Sequence, residues 1–396
     1  MRVYLDFNAT TPVDPVVLAA MTPYFSAEFG NASSIHSAGQ RARSSVEHAR
    51  ESVAELLGGK PAEIVFTGSG TEANNLAILG MVVPGAAKRH VISTTIEHHA
   101  VLHVCAALEA RHGHDASEVT YVGVGRDGVV DPESIRRALR PDTALITVMH
   151  ANNELGTIQP IEEIGRIARE AGVFFHSDAV QSAGKLSIDV DRLGVDLLSV
   201  AAHKLYGPKG VGALYVRSGV PLSPILYGGH HERDRRPGTE NVPGIVGLGK
   251  AAELAADRLG ADSQRIAALR DRFEQALLAK IPNCFINGLR ERRIPNTTNF
   301  TFRDAVGESL QIGLDLQGVA CSTGAACSSG AIEPSHVLTA IGLSHDDANG
   351  SLRFSLGHAT TNVEIDFALG VIPAVVKRLR QLAPAQQQHP KVASVR

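Results

Sequence analysis

No run of apolar residues in this chain approaches the roughly 20 needed to cross a bilayer as a helix, which removes a helical membrane span from the readings of the sequence. Charge of one sign is missing too. Lys and Arg number 38 against 41 Asp and Glu, a net charge of −3, so composition offers no basic footprint for nucleic acid or an anionic membrane surface. Cysteine is scarce: four thiols, at 105, 284, 321 and 327, with no C-x-x-C pair among them. That excludes a disulfide framework, and the spacing of Cys321 and Cys327 is too wide for a zinc knuckle. The start, "MRVYLDFNATTPVDP", lacks the charged leader and apolar core of a secretory signal. These absences predict a reducing, cytoplasmic setting, and no internal repeat breaks the chain into an array.

What is present is an ordinary globular composition over 396 residues, long enough for one large and one smaller domain. From about residue 63 to 216 short apolar segments alternate with amphipathic ones. "EIVFT" (63–67), "HVISTT" (90–95), "ALITVMH" (144–150), "GVFFHS" (172–177), "DLLSVAA" (196–202) and "GVGALYVR" (210–217) read as strands. "IEEIGRIAREAG" (161–172) is one of the helices between them. The alternation predicts an α/β fold with a mainly parallel sheet covered by helices. A charged helix at 263–281, the segment "NTTNFTFR" (296–303), the strand "SLRFSLG" (351–357) and a last helix over about 361–382 predict a smaller α+β domain. The expected division is 14–258 for the large domain and 259–382, joined by 1–13, for the small one. The polar tail 383–396, with two prolines, is expected to be disordered.

Four segments invite a chemical reading, and the first fails it. "GVGRDG" (123–128) satisfies G-x-G-x-x-G, but "VVDPES" follows where a helix must start, so it reads as a turn. "FTGSGTEANNLAILG" (66–80) runs a strand through Gly-Ser-Gly-Thr into a helix, which makes an anion site of exposed N–H groups and the Thr71 hydroxyl, or else an ordinary tight turn. In "FFHSDAVQSAGK" (174–185) Asp178 stands at the C-terminal edge of a buried strand, where parallel sheets bind ligands, although a helix-capping Asp is the plainer account of it alone. In "SVAAHKLYGPKG" (199–210) Lys204 follows an apolar strand. Burial there is costly unless the lysine is paired or covalently used, and desolvation lowers its pKa as imine-forming lysines require. A phosphate loop, then Asp178, then Lys204 26 residues later is the set that pyridoxal phosphate asks of a protein.

With these residues in place the chain resembles the cysteine desulfurases of the NifS/IscS type, in the class V branch of the aminotransferase-like pyridoxal phosphate enzymes. The resemblance runs through "YLDFNATTPVDP" (4–15), "GNASSIHSAG" (30–39), "GSGTEANN" (68–75), "TIEHHAVL" (95–102), "HANNELGTIQPI" (150–161), "HSDAVQS" (176–182), "HKLYGPKGVG" (203–212), "RPGTENV" (236–242), "GAACSSGAIEPSHVL" (324–338) and "LRFSLG" (352–357). It implies a fold-type I enzyme that takes sulfur from L-cysteine, leaves alanine and a persulfide, and passes the sulfur to an acceptor protein for iron–sulfur cluster assembly or thiolation of tRNA or DNA. It implies Lys204 as cofactor anchor and proton carrier, Asp178 at the ring nitrogen, His98 stacked on the ring, and Gln181 and Asn153 near the phenolic oxygen. Gly70, Thr71 and His203 would hold the phosphate, and Thr239 the phosphate of the other subunit in a homodimer with shared sites. Arg353 would clamp the substrate carboxylate with Asn31 helping.

Cys327 matches the persulfide carrier, in "CSTGAACSSG" (321–330), whose Gly, Ser and Ala suit a thiol that must approach the cofactor and then leave it. Cys321 is expected where the fixed strand ends. Ala201, His230 and His358 depart from the family's usual Ser, Gly and Arg. His99 and His103 are spaced i,i+4 without a third metal ligand in view, so no metal is expected. Two alternatives stay open from the residues: a lyase acting on selenocysteine or cysteine sulfinate, and a non-catalytic scaffold of the same fold.

Overall fold

A computed structural model describes residues 1–83, 85, 87–111, 117–323 and 334–382. Among the described residues, twelve strands form three sheets: β1 (Val3–Tyr4), β2 (Ile64–Thr67), β3 (His90–Thr94), β4 (Val119–Val122), β5 (Thr143–Thr147), β6 (Phe174–Asp178), β7 (Leu197–Ala201), β8 (Gly212–Val216), β9 (Cys284–Ile286), β10 (Thr297–Phe302), β11 (Val319–Ala320) and β12 (Ser351–Ser355). The largest sheet has seven strands in the order β2-β8-β7-β6-β5-β3-β4. All of its pairings are parallel except those of β8, which runs antiparallel to both β2 and β7. The expected α/β fold with a mainly parallel sheet is borne out.

Strand alternation divides the core in two. Ile64, Phe66, Ile146, Phe175, Leu198 and Ala213 face one apolar layer, against the helices Ser37–Leu57 and Ile161–Ala171 and the start of the helix Val242–Lys280. Val65, Val91, Leu145, Leu197 and Leu214 face the other, against the helices Gly70–Met81 and His99–Glu109. Because helices cover both faces, ligands are left the edge where β6 and β7 end.

The second core is separate. Phe300, Phe302, Leu352 and Phe354 of the antiparallel sheet β12-β10-β9 pack with Phe273, Leu277, Leu310 and Ile372. Val3 and Leu5 join them, because β1 pairs parallel with β11 in the register Val3 to Val319. The 39-residue helix Val242–Lys280 runs unbroken through residues 258 and 259 and serves both cores. Val242–Ala252 bury side chains in the first core and Ile266–Leu277 in the second.

Candidate active site

The turns that follow β2, β6 and β7 converge on one cavity of about 280 Å³. Its walls include Ser69, Gly70, Thr71, Asn74, His98, Asn153, Asp178, Gln181, His203 and Lys204. Eight of the residues expected at the site from the sequence are among them: Gly70, Thr71, His98, Asn153, Asp178, Gln181, His203 and Lys204. Arg353 is not in the wall but donates to the carbonyl of Asn153, which is.

Asp178 ends β6 and is 5% exposed. Asn74 Nδ2 donates to its Oδ2 at 2.6 Å, and the Val180 N–H to its Oδ1 at 2.9 Å. Two donors fix the carboxylate's direction. Gly70 opens the helix Gly70–Met81 behind the Ser69 cap, whose Oγ accepts from Glu72 N at 3.1 Å. A Cβ at Gly70 would sit 2.7 Å from Val180 Cγ2 and 3.3 Å from Ala201 Cβ, so only glycine lets the helix start come so near the ends of β6 and β7. The helix's free N–H groups and Thr71 therefore face the cavity.

Lys204 follows β7 on a short 3-10 turn. Its Nζ donates to the Ala9 carbonyl at 2.7 Å and also to the Asn8 carbonyl. Burial, then the Arg353 charge, brings its pKa down to about 8, with Asp6 and Asp178 partly opposing. A useful fraction of neutral amine therefore exists at mildly alkaline pH. His203 Nδ1 meets Thr10 Oγ1 at 3.1 Å, and burial followed by Lys204 lowers its pKa to about 4. It faces the cavity as a neutral imidazole.

His98 caps the helix His99–Glu109: Ala100 N donates to its Nδ1 at 3.0 Å, so the neutral ring carries its proton on Nε2. Desolvation lowers its pKa, Asp178 raises it and Lys204 lowers it further. The turn that presents His98 rests on Glu97. That buried carboxyl accepts from Thr94 Oγ1 at 2.6 Å and Met149 N at 3.0 Å, and desolvation pushes it up to about 8, so it keeps its proton at neutral pH.

Arg353, 5% exposed on β12, donates through Nη1 to the Asn153 carbonyl at 3.0 Å and through Nη2 to Asp6 Oδ1 at 2.7 Å. Its Nε is buried without a partner. Asn31 and Thr239 are exposed, and neither borders the cavity of its own chain. Asn31 instead caps Ser33 N at 2.8 Å. Cys327 lies outside the described residues. Cys321 is 5% exposed just past β11, and burial raises its pKa, so it rests as a thiol. Beyond the segment 324–333, Ser335 Oγ donates to Glu154 Oε2 at 2.6 Å.

Comparison with known proteins settles the kinship. The family model described as aminotransferase class-V matches residues 3–367. The chain belongs to that family. A cysteine desulfurase IscS from Dictyoglomus turgidum is 48% identical over 388 residues, 98% of this chain and 98% of its own. A solved NifS-like protein superposes with a TM-score of 0.89 at 38% identity, covering 96% of this chain and 100% of its own. A structure titled SspA in complex with cysteine has a TM-score of 0.80 at 39% identity, covering 91% of this chain and 100% of its own.

Within this class-V chain, Ala201 lies in the cavity wall with no hydroxyl to offer. The His358 imidazole packs 4.0 Å from the Tyr206 ring, while Tyr206 Oη accepts from His358 N at 2.8 Å. His230 stands exposed, away from the cavity. The rings of His99, His103 and His336 cluster at 4.9 and 4.8 Å, yet no group of described residues is arranged to hold a metal ion. Sequence reasoning missed Asn74, Ser69, Glu97 and the carbonyls of Asn8 and Ala9. Asn74 lies inside the quoted "GSGTEANN", four residues after Gly70, where helical spacing returns it to the same face, and Ser69 heads an S-x-x-E helix-start pattern with Glu72; the others carried no separate signal.

Proposed function

We propose that the chain is a pyridoxal phosphate-dependent cysteine desulfurase that takes sulfur from L-cysteine, releases L-alanine and leaves a persulfide on Cys327. The observation that carries this reading is the meeting of Lys204, Asp178, His98 and a free helix start around one cavity. The residues fit the cofactor. The Gly70 position is a cradle that a Cβ would fill, and the Asn74 Oδ1 beside Asp178 is buried without a partner. Thr71, His203 and the N–H groups after Ser69 would hold its phosphate, Asp178 its ring nitrogen, His98 its ring face, Gln181 and Asn153 its phenolic oxygen, and Lys204 its aldehyde carbon. When bound, the cofactor supplies an electron sink for charge formed at the substrate's α-carbon.

The chain's own groups do the rest. Asp178, fixed by Asn74 and Val180, would keep a proton on the cofactor's ring nitrogen. Arg353 offers a preformed guanidinium for the substrate carboxylate, the geometry that suits a two-point contact. Lys204, neutral once above its lowered pKa, takes the α-proton. The Cys327 thiolate attacks the substrate sulfur: an S–S bond forms, the carbon–sulfur electron pair returns to carbon, and that carbon is protonated as alanine leaves. Tight packing would hold a thiol at one place only, and "GAACSSG" has little bulk to pack.

The homodimer with shared sites belongs to this proposal: Thr239 and Asn31, exposed and outside the wall of their own cavity, support their use by a second copy. So do the sulfur-acceptor protein, whose pathway stays open between iron–sulfur assembly and thiolation of tRNA or DNA, and the cytoplasmic setting. No helix among the described residues is long and apolar enough to cross a membrane. The division into residues 14–258, which bind the cofactor, and 259–382 with 1–13, which carry Cys327, is also proposed, and the separate core clusters support it.

The decisive experiment is Cys327→Ala, assayed for alanine release from cysteine and for the visible band of the bound cofactor. Loss of alanine release with the band retained is expected. Full activity overturns the thiol's role, and full activity confined to selenocysteine moves the reading to a lyase.

A further inference from the structure

One half-buried lysine beside this site has no place in the reaction just described. Lys185 closes the turn "QSAGK" after β6, and its Nζ donates to the Gln181 carbonyl at 3.0 Å and to Gln181 Oε1 at 3.1 Å. It makes no ion pair with any described carboxylate. The turn is closely held. Gly184 takes φ 68°, and a Cβ there would meet Leu205 Cδ2 at 2.6 Å and Ala255 Cβ at 3.0 Å. Ser263 Oγ, on the long helix, donates to the Lys185 carbonyl at 3.0 Å.

The far end of the same Gln181 amide is fixed as well: Nε2 donates to the Asn8 carbonyl at 3.0 Å, the carbonyl that also receives Lys204 Nζ. An amide's oxygen and nitrogen are nearly interchangeable in shape, so its direction depends on its neighbours. Here a donor faces one end and an acceptor the other, which leaves one orientation. Nε2 keeps a second proton, and Gln181 borders the cofactor cavity.

We propose that Lys185 is a positioning residue for the reaction, holding the Gln181 amide so that Nε2, and not Oε1, is presented to the cofactor's phenolic oxygen. The inference rests on the cofactor reading of the cavity above. The arrangement explains why no carboxylate is needed. Lys185 has two acceptors to satisfy, and even a neutral amine has two N–H groups. Burial first, then the Lys204 and Arg353 charges, brings its pKa down to about 7, and the two hydrogen bonds survive loss of the proton. The groups that share its smaller cavity, of about 60 Å³, include Lys204, Arg258, Asp262, His358 and Asp14. None of these carboxylates is bonded to it; Asp14, for one, is engaged by Arg258 at 2.9 Å.

Without Lys185 only the Asn8 carbonyl holds the amide's direction, and its oxygen can turn toward the phenolic oxygen at the cost of that one bond. Two acceptors then face each other, and the proton between the phenolic oxygen and the Lys204 nitrogen is held more tightly. The test is the pH titration of the visible band of the full-length, cofactor-loaded protein, with cofactor dissociation as a second readout. In Lys185→Met the midpoint should rise by about one pH unit, a tenfold gain in proton affinity, and Lys185→Arg, which restores a donor, should return it. Lys185→Leu serves where the Met variant does not fold. In a Gln181→Leu background, Lys185→Met should add no further shift, because Lys185 acts through the amide. A midpoint within 0.2 unit of the unsubstituted protein (about 1.6-fold in proton affinity), or an equal shift in the Gln181→Leu background, overturns the proposal. Absence of any visible band in the unsubstituted protein after loading instead overturns the cofactor reading beneath it.

Discussion

Two neighbouring strands, β6 and β7, end in turns that each deliver a lysine to the same small cavity, and each turn puts one residue in the left-handed conformation. After β6 that residue is Gly184, at φ 68°; after β7 it is Tyr206, at φ 62°. Glycine adopts this conformation at no steric cost, and tyrosine does not. The difference follows from what each turn must hold. Lys185 is anchored inside its own turn by Gln181, so a small residue that lets the chain approach Leu205 is enough. Lys204 is anchored by carbonyls of residues 8 and 9, across the molecule, and would have to leave them to act as proposed. Tyr206 braces that turn from outside: its N–H donates to Thr11 Oγ1 at 3.0 Å and its ring packs on His358 and Phe7. Strain is accepted where a side chain ties the two halves of the molecule together.

The largest effect should come from removing the moving lysine. Lys204→Ala should lower alanine formation by about 10³-fold or more, in line with the loss of a general acid–base group, and prevent covalent retention of the cofactor on gel filtration. The two left-handed positions come next. Gly184→Ala should destabilise the fold by roughly 1–3 kcal/mol, because a Cβ meets Leu205. Tyr206→Gly should also destabilise, since the lost packing outweighs the relieved strain. Denaturant midpoints measure both, and a stabilised Tyr206→Gly protein would break the comparison.

Stability against pH distinguishes the lysines without activity. Both folded-state pKa values lie below the ordinary 10.5, at about 7 for Lys185 and about 8 for Lys204. Between those values and 10.5 the unfolded chain binds more protons than the folded one, so stability rises with pH. The cofactor-free protein should therefore gain thermal stability from pH 7 to 9. Lys185→Met should flatten the rise from its start near pH 7, and Lys204→Met only above about 8; parallel curves for all three proteins would contradict it. Smallest is Ala201→Ser at the end of β7. One restored hydrogen bond, about 1 kcal/mol, should tighten cofactor binding several-fold in a dissociation titration.

The strands that carry the lysines were legible because burial on both faces leaves continuous Val, Ile, Leu and Phe runs. Asp178 and Lys204 followed from standing at the ends of such runs. The antiparallel course of β8 was hidden, since a buried strand reads the same in either direction. β4, with three of its four residues half-buried, has too weak a pattern to register. The helix Val242–Lys280 was read only from 263, because its first turns hold Gly244, Gly247 and Gly249, each costing helix propensity of about 1 kcal/mol. The structure supplies the reason: a Cβ at Gly247 would lie 2.6 Å from Met21 Sδ, and one at Gly249 2.5 Å from Ala49 Cα. Those glycines let other helices approach closely, a tertiary need that local propensity does not record. Asn74, Glu97 and Lys185 escaped for the same reason, as each acts through a contact between segments.

The same helix bears on how the molecule comes apart. At 1.5 Å per residue it spans roughly 58 Å, and its middle, from about 256 to 265, belongs to neither core. A cut at the natural-looking border near 258 would leave two frayed half-helices and part the second core from Val3 and Leu5, which come from the other end of the chain. Neither fragment would be a domain in the practical sense of something that can be expressed, swapped or shuffled. Evolution and engineers alike must therefore inherit both halves together, or graft at the loops that flank the helix.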